Sequence, residues 1–549
     1  MPDLLLTTIE YSNYISPFKF VIFLVLFFFW LPLLTWVYED TKAVGTRVVF
    51  WTSIVLAAGV VSILLWLLLP MFIIGMLVFI IAVGATSLSY VMHRNSRVMD
   101  YDRVLTAEHI KSLFSKDSDK EDALKDFVFI TANDNEVPFP EARTPDFFGY
   151  KAAHDLFLDA TWRRADSILF LPTQQEYNIT YFVDGAALKQ PAMPREQMDF
   201  CFRFLKHVAD LDPDEKRKPQ KGKFEIRQED VSTEWEMMTA GSTAGEQIQL
   251  KRVTRLDISK LADISLTPVQ LEQLNNIRDA NQGVFIVAGS PRSGVTTTFY
   301  ALIRSHDPFM YNVNTLEREP TAELLNVTQN IYALSDSGTT TFAKKLQAVV
   351  RMGPDVVGVA DCQDAETAKI CAKAARDSKI IYLTMNAENV VQAFGKWLKL
   401  VGDRDLAVDN LLGVSNQRIL RKLCSECKEA YEPNKEILRK FNIPADKAKV
   451  FYRPGKVQYD KHGKPSTCEH CQGTGFFGRM CVFESIIMND SLKRAIKQVS
   501  SLSDINTQFR RAKMLYLQEQ ALLKVLDGTT SINEMVRIFS PSKKPKQKK

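Results

Sequence analysis

Polar and apolar positions along this chain fall into three regimes. In the first, Phe20 to Tyr38 carries no charged side chain, and Val48 to Met92 carries no Asp, Glu, Lys, Arg or His. At a rise of roughly 1.5 Å per residue the first run suits one membrane-spanning helix. The second suits two, with a tight turn near Pro70. Transmembrane helices are therefore expected at 20–38, 48–69 and 70–92, behind a short N-terminal tail, 1–19. Pro32 would kink the first, which membranes tolerate. A buried helical hairpin in a soluble domain is the alternative, but polar interruptions would then be expected. A cleaved signal peptide fits poorly, because no basic segment precedes the first apolar run.

The second regime, 93–145, is charged (Lys116 to Asp122) and then proline-bearing (Pro138, Pro140, Pro145). It reads as a linker with one short helix. The third regime mixes helical and alternating patterns. Tyr150–Arg164 and Met198–Asp210 have helical spacing, while Ser167–Leu171 and Tyr177–Val183 alternate as strands, the latter closed by Asp184-Gly185. A charged stretch from Asp212 to Gly222 leads into a strand and a hairpin ending near Val253. This is a small α+β domain, 146–258.

From Leu266 strands and helices alternate. A helix runs from Thr267-Pro268 to Ile277, and Val284–Ala288 is a buried strand. Strands recur at Asn312–Leu316, Asp355–Ala360 and Lys379–Thr384, with helices at Phe342–Arg351 and Glu366–Arg376. Repeated βα units imply a parallel sheet with ligands at the carboxyl ends of its strands. The expected fold class is α/β, with this nucleotide-type domain at 259–415, a cysteine-bearing module at 416–490, a helical segment at 491–540 and a basic tail at 541–549.

Charge changes the picture at the two ends. The net charge is +5, and the last nine residues hold five lysines and no acid, so the remainder is neutral. Such a tail is either solvated or contacts anionic lipid or nucleic acid. The head of the chain has Asp3 and Glu10 but no Lys or Arg before Lys19, whereas Lys42, Arg47, Arg94, Arg97 and Arg103 flank the other apolar ends. The positive-inside rule puts the N-terminus outside and the large C-terminal part in the cytoplasm.

Two constellations carry chemistry. Gly289-Ser290-Pro291-Arg292-Ser293-Gly294-Val295-Thr296-Thr297 follows a strand and opens a helix, the geometry of a phosphate cradle. It meets the G-x-x-x-x-G-K-[ST] pattern except that Val295 stands where a lysine would reach the phosphates. Glu317, Asp361 and Asn386 also fall at carboxyl ends of expected strands. The second constellation is Cys424-x-x-Cys427 and Cys468-x-x-Cys471, separated by 40 residues and followed by Gly473, Gly475 and Gly478. Four thiolates from two tight turns make a closed tetrahedral Zn²⁺ site, structural rather than catalytic. His470 is an alternative ligand between two cysteines.

Together these segments resemble the type II secretion and type IV pilus assembly ATPases, the secretion protein E family. The likeness runs from about residue 160 to 490. It rests on Ala165–Ile168, Val183–Gly185, Glu215–Gly222 and Thr243–Glu246 upstream, then on Gly289–Thr296 as Walker A. Thr315-Leu316-Glu317 is similar to the acidic box, Pro354–Asp361 to Walker B, and Gln417–Cys424 with Gly473–Arg479 to the zinc module. The resemblance implies a RecA-like P-loop NTPase core, ATP with Mg²⁺ as cofactors, and Glu317 and Asp361 as catalytic acids. Gly289, Ser290, Arg292, Ser293, Gly294, Val295, Thr296 and Thr297 would bind nucleotide, with the Thr296 hydroxyl on Mg²⁺.

The departures matter equally. Besides Val295, Ala360-Asp361 replaces glycine–glutamate, Gln363 an arginine and Asn386 a histidine; Lys344 and Gln347 stand where arginines are usual. Arg292 either restores the missing charge or is a solvated loop residue. The expected function is a membrane-anchored secretion or pilus-type ATPase homologue coupling ATP binding, with or without hydrolysis, to protein secretion or pilus assembly. A pseudo-ATPase subunit and a membrane-tethered nucleic-acid- or lipid-binding protein are the alternatives. Expected partners are inner-membrane secretion or pilus proteins, further copies as a hexamer, and an active paralogue; nucleic acid is not among them.

Overall fold

The computed structural model describes the chain apart from residues 1–16, 70, 99–102, 106–126, 142–143, 229–230, 254–259, 334–337, 339, 442, 444–449, 456–457, 460–464 and 541–549. Most of the expected N-terminal tail, the turn at Pro70, the charged stretch at 116–122, the boundary at 258–259 and the basic tail lie outside the described residues. The chain divides into two compact units, Met1–Thr254 and Arg255–Lys549.

The first unit opens with α1 (Pro17–Ala43), α2 (Val48–Leu68) and α3 (Phe72–Asn95), each long and apolar enough to cross a membrane. Lipid-type apolar side chains such as Phe29 and Leu68 face outward, while Trp30 and Trp66 are buried between helices. Close approach is set by Gly59: a Cβ there would meet the Trp30 ring at 2.2 Å. α1 runs past its expected end at Tyr38 because Asp40 is not in solvent. Its carboxylate receives Arg94 Nε at 2.8 Å and the Tyr90 hydroxyl at 2.5 Å, both from α3.

Next come β1 (Phe127–Thr131), α4 (Pro145–Trp162), β2 (Ser167–Pro172), β3 (Glu176–Val183), β4 (Ala186–Lys189), β5 (Met193–Pro194), α5 (Arg195–Val208), β6 (Gln220–Gln228), β7 (Val231–Ser242) and β8 (Gly245–Val253). They build one antiparallel sheet, ordered β1-β6-β7-β8-β2-β3-β4 with β5 on β3. Alternate residues of these strands, Ile168, Phe170, Ile179, Tyr181, Trp235, Met237, Ile248 and Leu250, bury one face beneath α4 and α5. β1 corrects the linker reading. Residues 127–131 pair with β6 from Phe127↔Gln228 to Thr131↔Phe224, and Phe129 is fully buried. Five residues are too short for alternation to stand out beside prolines.

The second unit contains α6 (Pro268–Arg278), β9 (Gly283–Gly289), α7 (Val295–Arg304), β10 (Val313–Glu317), β11 (Thr328–Ile331), α8 (Phe342–Arg351), β12 (Val356–Val359), α9 (Ala365–Arg376), β13 (Ile380–Asn386), α10 (Val390–Val401), α11 (Arg404–Asp409) and β14 (Leu411–Leu423). These are followed by β15 (Glu429–Tyr431), α12 (Lys435–Lys440), β16 (Phe451–Arg453), β17 (Gln458–Tyr459), β18 (Pro465–Ser466) and β19 (Phe476–Ile487). Four helices close the chain: α13 (Asp490–Gln498), α14 (Leu502–Arg511), α15 (Leu517–Leu526) and α16 (Ile532–Phe539).

The main sheet is ordered β11-β10-β12-β13-β9-β14-β19, parallel throughout except β19. All of β9, β10 and β12 is buried, as strands covered on both faces must be. The helices start where the sequence supplies caps: Thr267, Thr341, Asp364 and Asn389 side chains each accept from a first-turn N–H. The α/β reading holds. The register then aligns Asn386, Gly289 and Gln417 across β13, β9 and β14, fixing one edge where the candidate residues gather.

Candidate functional site

At the carboxyl end of β9 the chain turns through Ser290–Gly294 into α7. Arg292 and Gly294 are left-handed, with φ of 64° and 83°, and Gly294 caps the helix without side-chain help. Thr298 N–H is the first to reach back, to the Gly294 carbonyl at 3.2 Å, so the N–H groups of the first turn point outward. This is the anion-binding end of a helix in a concave loop.

The concavity holds the chain's own atoms. A Cβ on Gly289 would meet Ser293 Oγ at 2.1 Å and Val295 Cγ2 at 2.8 Å, so only glycine fits. Val295 packs on the core cluster under α7. Ser293 Oγ and Thr298 Oγ1 are buried with no hydrogen-bond partner among the described residues, whereas Thr296 is exposed. Arg292 is exposed as well.

The expected acids occupy two different environments. Glu317, at the end of β10, is 3% exposed. Its carboxylate accepts from the Tyr300 hydroxyl at 2.6 Å, Thr315 Oγ1 at 2.7 Å and Gln329 Nε2 at 3.2 Å. Tyr300 lies on α7, so the acid is tied to the helix that starts at the loop; burial and this bond raise the Tyr300 pKa. Glu319 is exposed. Asp361, just past β12, is half-buried and left-handed (φ 61°). Its N–H donates to Thr384 Oγ1 at 2.6 Å, and Gln363 Nε2 donates to its carboxylate. Asn386 is exposed, and its carbonyl accepts from Lys396 Nζ at 2.5 Å.

A cation at the loop comes from a residue the sequence reading assigned to the zinc module. Arg418 on β14 donates its guanidinium to Ser290 Oγ, and its neighbour Gln417 donates Nε2 to the Ser293 carbonyl at 2.9 Å. Burial lowers the Arg418 pKa, opposed by the fields of Glu388 and Glu484. The only sequence signal was its place within Gln417–Cys424.

Some distance along β14, Cys424, Cys427, Cys468 and Cys471 bring their sulfur atoms within 4.8 Å of one another. The Cys427–Cys471 sulfurs are 3.6 Å apart and the Cys424–Cys468 sulfurs 3.9 Å. Gly475 N–H donates to Cys471 Sγ at 3.3 Å, the backbone support expected of a thiolate ligand. His470 Nδ1 lies 3.3 Å from Cys424 Sγ and its ring stacks on Phe477 at 4.0 Å. Four sulfurs at this spacing suit a single metal ion.

A parallel sheet with a glycine-bounded loop feeding a helix, and a four-cysteine cluster past the end of the neighbouring strand β14, define an α/β architecture. Residues 149–537 match the family model described as "Type II/IV secretion system protein", which is well over half of the chain. The chain belongs to that family. Its relatives include the type IV pilus assembly ATPase PilB of Thermus thermophilus, 26% identical over 405 residues, or 73% of this chain and 44% of that protein. They also include the type II secretion system ATPase E of Vibrio cholerae, 27% identical over 373 residues, or 67% of this chain and 71% of that one. The alignment thus spans under half of the Thermus relative. The solved structure of the Legionella pneumophila ATPase DotB superposes with a TM-score of 0.49 at 15% identity, covering 72% of this chain and 96% of that chain.

Proposed function

We propose that this chain is a membrane-anchored subunit of a secretion or pilus-assembly machine whose RecA-like core binds ATP with Mg²⁺ and turns it over slowly or not at all. The observation that carries this reading is the loop itself. Its backbone cradle is intact, but Val295 fills the place of the lysine and packs inward.

In this reading the N–H groups of Gly289–Thr297 hold the phosphates, Thr296 ligates Mg²⁺, and Asp361 holds a metal-bound water. A charge-assisted hydrogen bond to a phosphate contributes about 1.5–3 kcal/mol. Its loss is felt most in the transition state, where electrostatic stabilisation is usually the largest contribution. Arg418 supplies part of that charge to the loop, a role the sequence had offered to the exposed Arg292. Zn²⁺ on Cys424, Cys427, Cys468 and Cys471 closes the module at the end of β14. Copies assemble as a hexamer, with or without an active paralogue. The three spans hold the chain in the inner membrane with its large part in the cytoplasm.

A second reading, a subunit without hydrolysis, is favoured by Glu317. Three donors take most of the acceptor sites of its carboxylate, and its 3% exposure leaves an attacking water little access to what remains.

The test is nucleotide binding and phosphate release by the full-length chain in detergent, beside Val295→Lys. Saturable Mg²⁺–ATP binding with turnover that rises at least tenfold in Val295→Lys supports the slow motor. Binding without turnover in either protein supports the second reading. No nucleotide binding by either protein overturns both.

A further inference from the structure

The chain just past α1 and just past α3 meets the sheet domain of the same unit. Val44, just past α1, and Val98, just past α3, are buried with Phe148 of α4, and Phe147 and Phe200 pack around them. The buried Gln197 of α5 donates Nε2 to the Val98 carbonyl at 2.8 Å. Beside this seam lies a cavity of about 320 Å³. Val44, Gly45 and Arg97 line it from the helix ends, and α5 with the turn before β6 lines it from the domain.

The wall has an unusual charge pattern. Its floor is a buried ion pair, Lys206 Nζ to Glu246 Oε1 at 2.7 Å, with Lys206 also donating to the Glu215 carbonyl at 2.7 Å. Above it, the side chains of Arg97, Arg203 and Lys216 make no hydrogen bond or ion pair among the described residues. Glu196 and Asp199 face the same space. Desolvation in this concave wall raises the Asp199 carboxyl, with Lys216 and Arg195 opposing and Glu196 and Glu246 adding to it.

Four cations (Arg97, Arg203, Lys206, Lys216) and four carboxylates (Glu196, Asp199, Asp214, Glu246) line the cavity. A purely anionic ligand would meet as many like charges as opposite ones. A zwitterion matches both sets. The cavity lies at the ends of α1 and α3, the level of a bilayer surface if these helices span it, and Val49 and Phe50 of α2, a few residues past Gly45, are exposed apolar side chains. Guanidinium groups hold phosphates through paired hydrogen bonds, and basic pockets at the ends of membrane helices are a recurrent headgroup geometry.

We propose that this cavity binds the phosphoethanolamine headgroup of a phospholipid, its phosphate on Arg97 and Arg203 and its ammonium on Glu196 and Asp199. The acyl chains then follow the apolar surface at the start of α2. The lipid becomes a third component of the seam between the membrane helices and the sheet domain. This inference rests on α1–α3 crossing a membrane and is independent of the nucleotide reading.

The full-length chain in detergent is titrated with phosphatidylethanolamine, phosphatidylcholine, phosphatidylglycerol and inorganic phosphate, and bound lipid is read by native mass spectrometry and by the shift in thermal unfolding. Phosphatidylethanolamine is expected to bind saturably. Each other probe should bind at least tenfold more weakly, since choline cannot donate a hydrogen bond and the rest lack an ammonium. Arg97→Ala with Arg203→Ala should weaken binding at least tenfold, and Arg163→Ala, paired with Asp159 at the end of α4, should not. Should the double variant not fold, Arg203→Gln and Glu196→Gln singly carry the same comparison, both at exposed positions. Equal binding of phosphatidylglycerol or phosphate, or binding unmoved by the variants, overturns the proposal. Resistance of the wild-type chain to alkaline extraction from membranes reads the anchoring separately.

Discussion

Glu484 on β19 lies between the starts of two helices. Its carboxylate accepts from the N–H of Val390 at 3.3 Å and of Leu517 at 3.4 Å, yet the residue is only 1% exposed. Burial outweighs these donors and pushes its pKa up to about 7. The folded state therefore binds this proton more tightly than the unfolded chain, where a glutamate titrates near about 4.3. Stability from this group is fully present below that value and is lost as pH rises through about 7, by roughly 3 kcal/mol. Thermal unfolding of wild type and Glu484→Gln between pH 5 and 8 checks this: the wild type should lose ground steadily, and parallel curves would count against it. Arg418 gives a second test at the same scale. Arg418→Ala should weaken Mg²⁺–ATP binding at least tenfold, and Arg292→Ala less than twofold, in a direct binding titration. The reverse order would return the role to the loop arginine.

Among elements, β14 carries the most. It lies beside the loop strand β9, pairs with β19 and runs on to the first cysteine knuckle. Its far end is clamped by Glu534 of α16, whose side chain is fully buried. Burial alone would raise that carboxyl, but hydrogen bonds from Arg537 at 2.7 Å and Arg421 at 2.8 Å pull it down to about 2. Its contribution is present above the unfolded pKa and disappears as pH falls through about 2. Glu534→Ala should therefore cost about 3–5 kcal/mol at neutral pH, read by chemical denaturation, because two guanidiniums lose a buried partner. The knuckles make a separate prediction. Cys427→Ser or Cys471→Ser should reduce bound zinc from about one per chain to near zero by metal analysis, with the module becoming protease-sensitive. Retention of zinc in both would exclude the four-thiolate site.

For the whole molecule, the prediction is topological. A tag placed after residue 540 should resist protease added to intact cells and be cut in inverted membrane vesicles, as the arginines flanking α3 imply. Cleavage from outside would reverse the orientation. The same scale explains what a linear reading could and could not reach. The apolar runs of α1–α3, the Gly289–Thr297 loop and the paired cysteines are local patterns, each spelled by consecutive or closely spaced residues. Strand β1 was read as linker because its partner, β6, lies about a hundred residues away. The first span was ended at Tyr38, ahead of the charged Asp40, because only α3 brings that carboxylate Arg94 and Tyr90.

The sequence alone determined the three apolar helices, the βα alternation, the cysteine pairs and the missing lysine, because hydrophobic period, turn chemistry and ligand spacing are properties of neighbours in the chain. Tertiary structure decided the rest. It set Arg418 rather than Arg292 against the loop, enclosed Glu317 among Tyr300, Thr315 and Gln329, and packed Val295 against the core beneath the loop. Those outcomes depend on which strand lies beside which and which side chains burial brings together, and the order of residues along the chain does not carry that information.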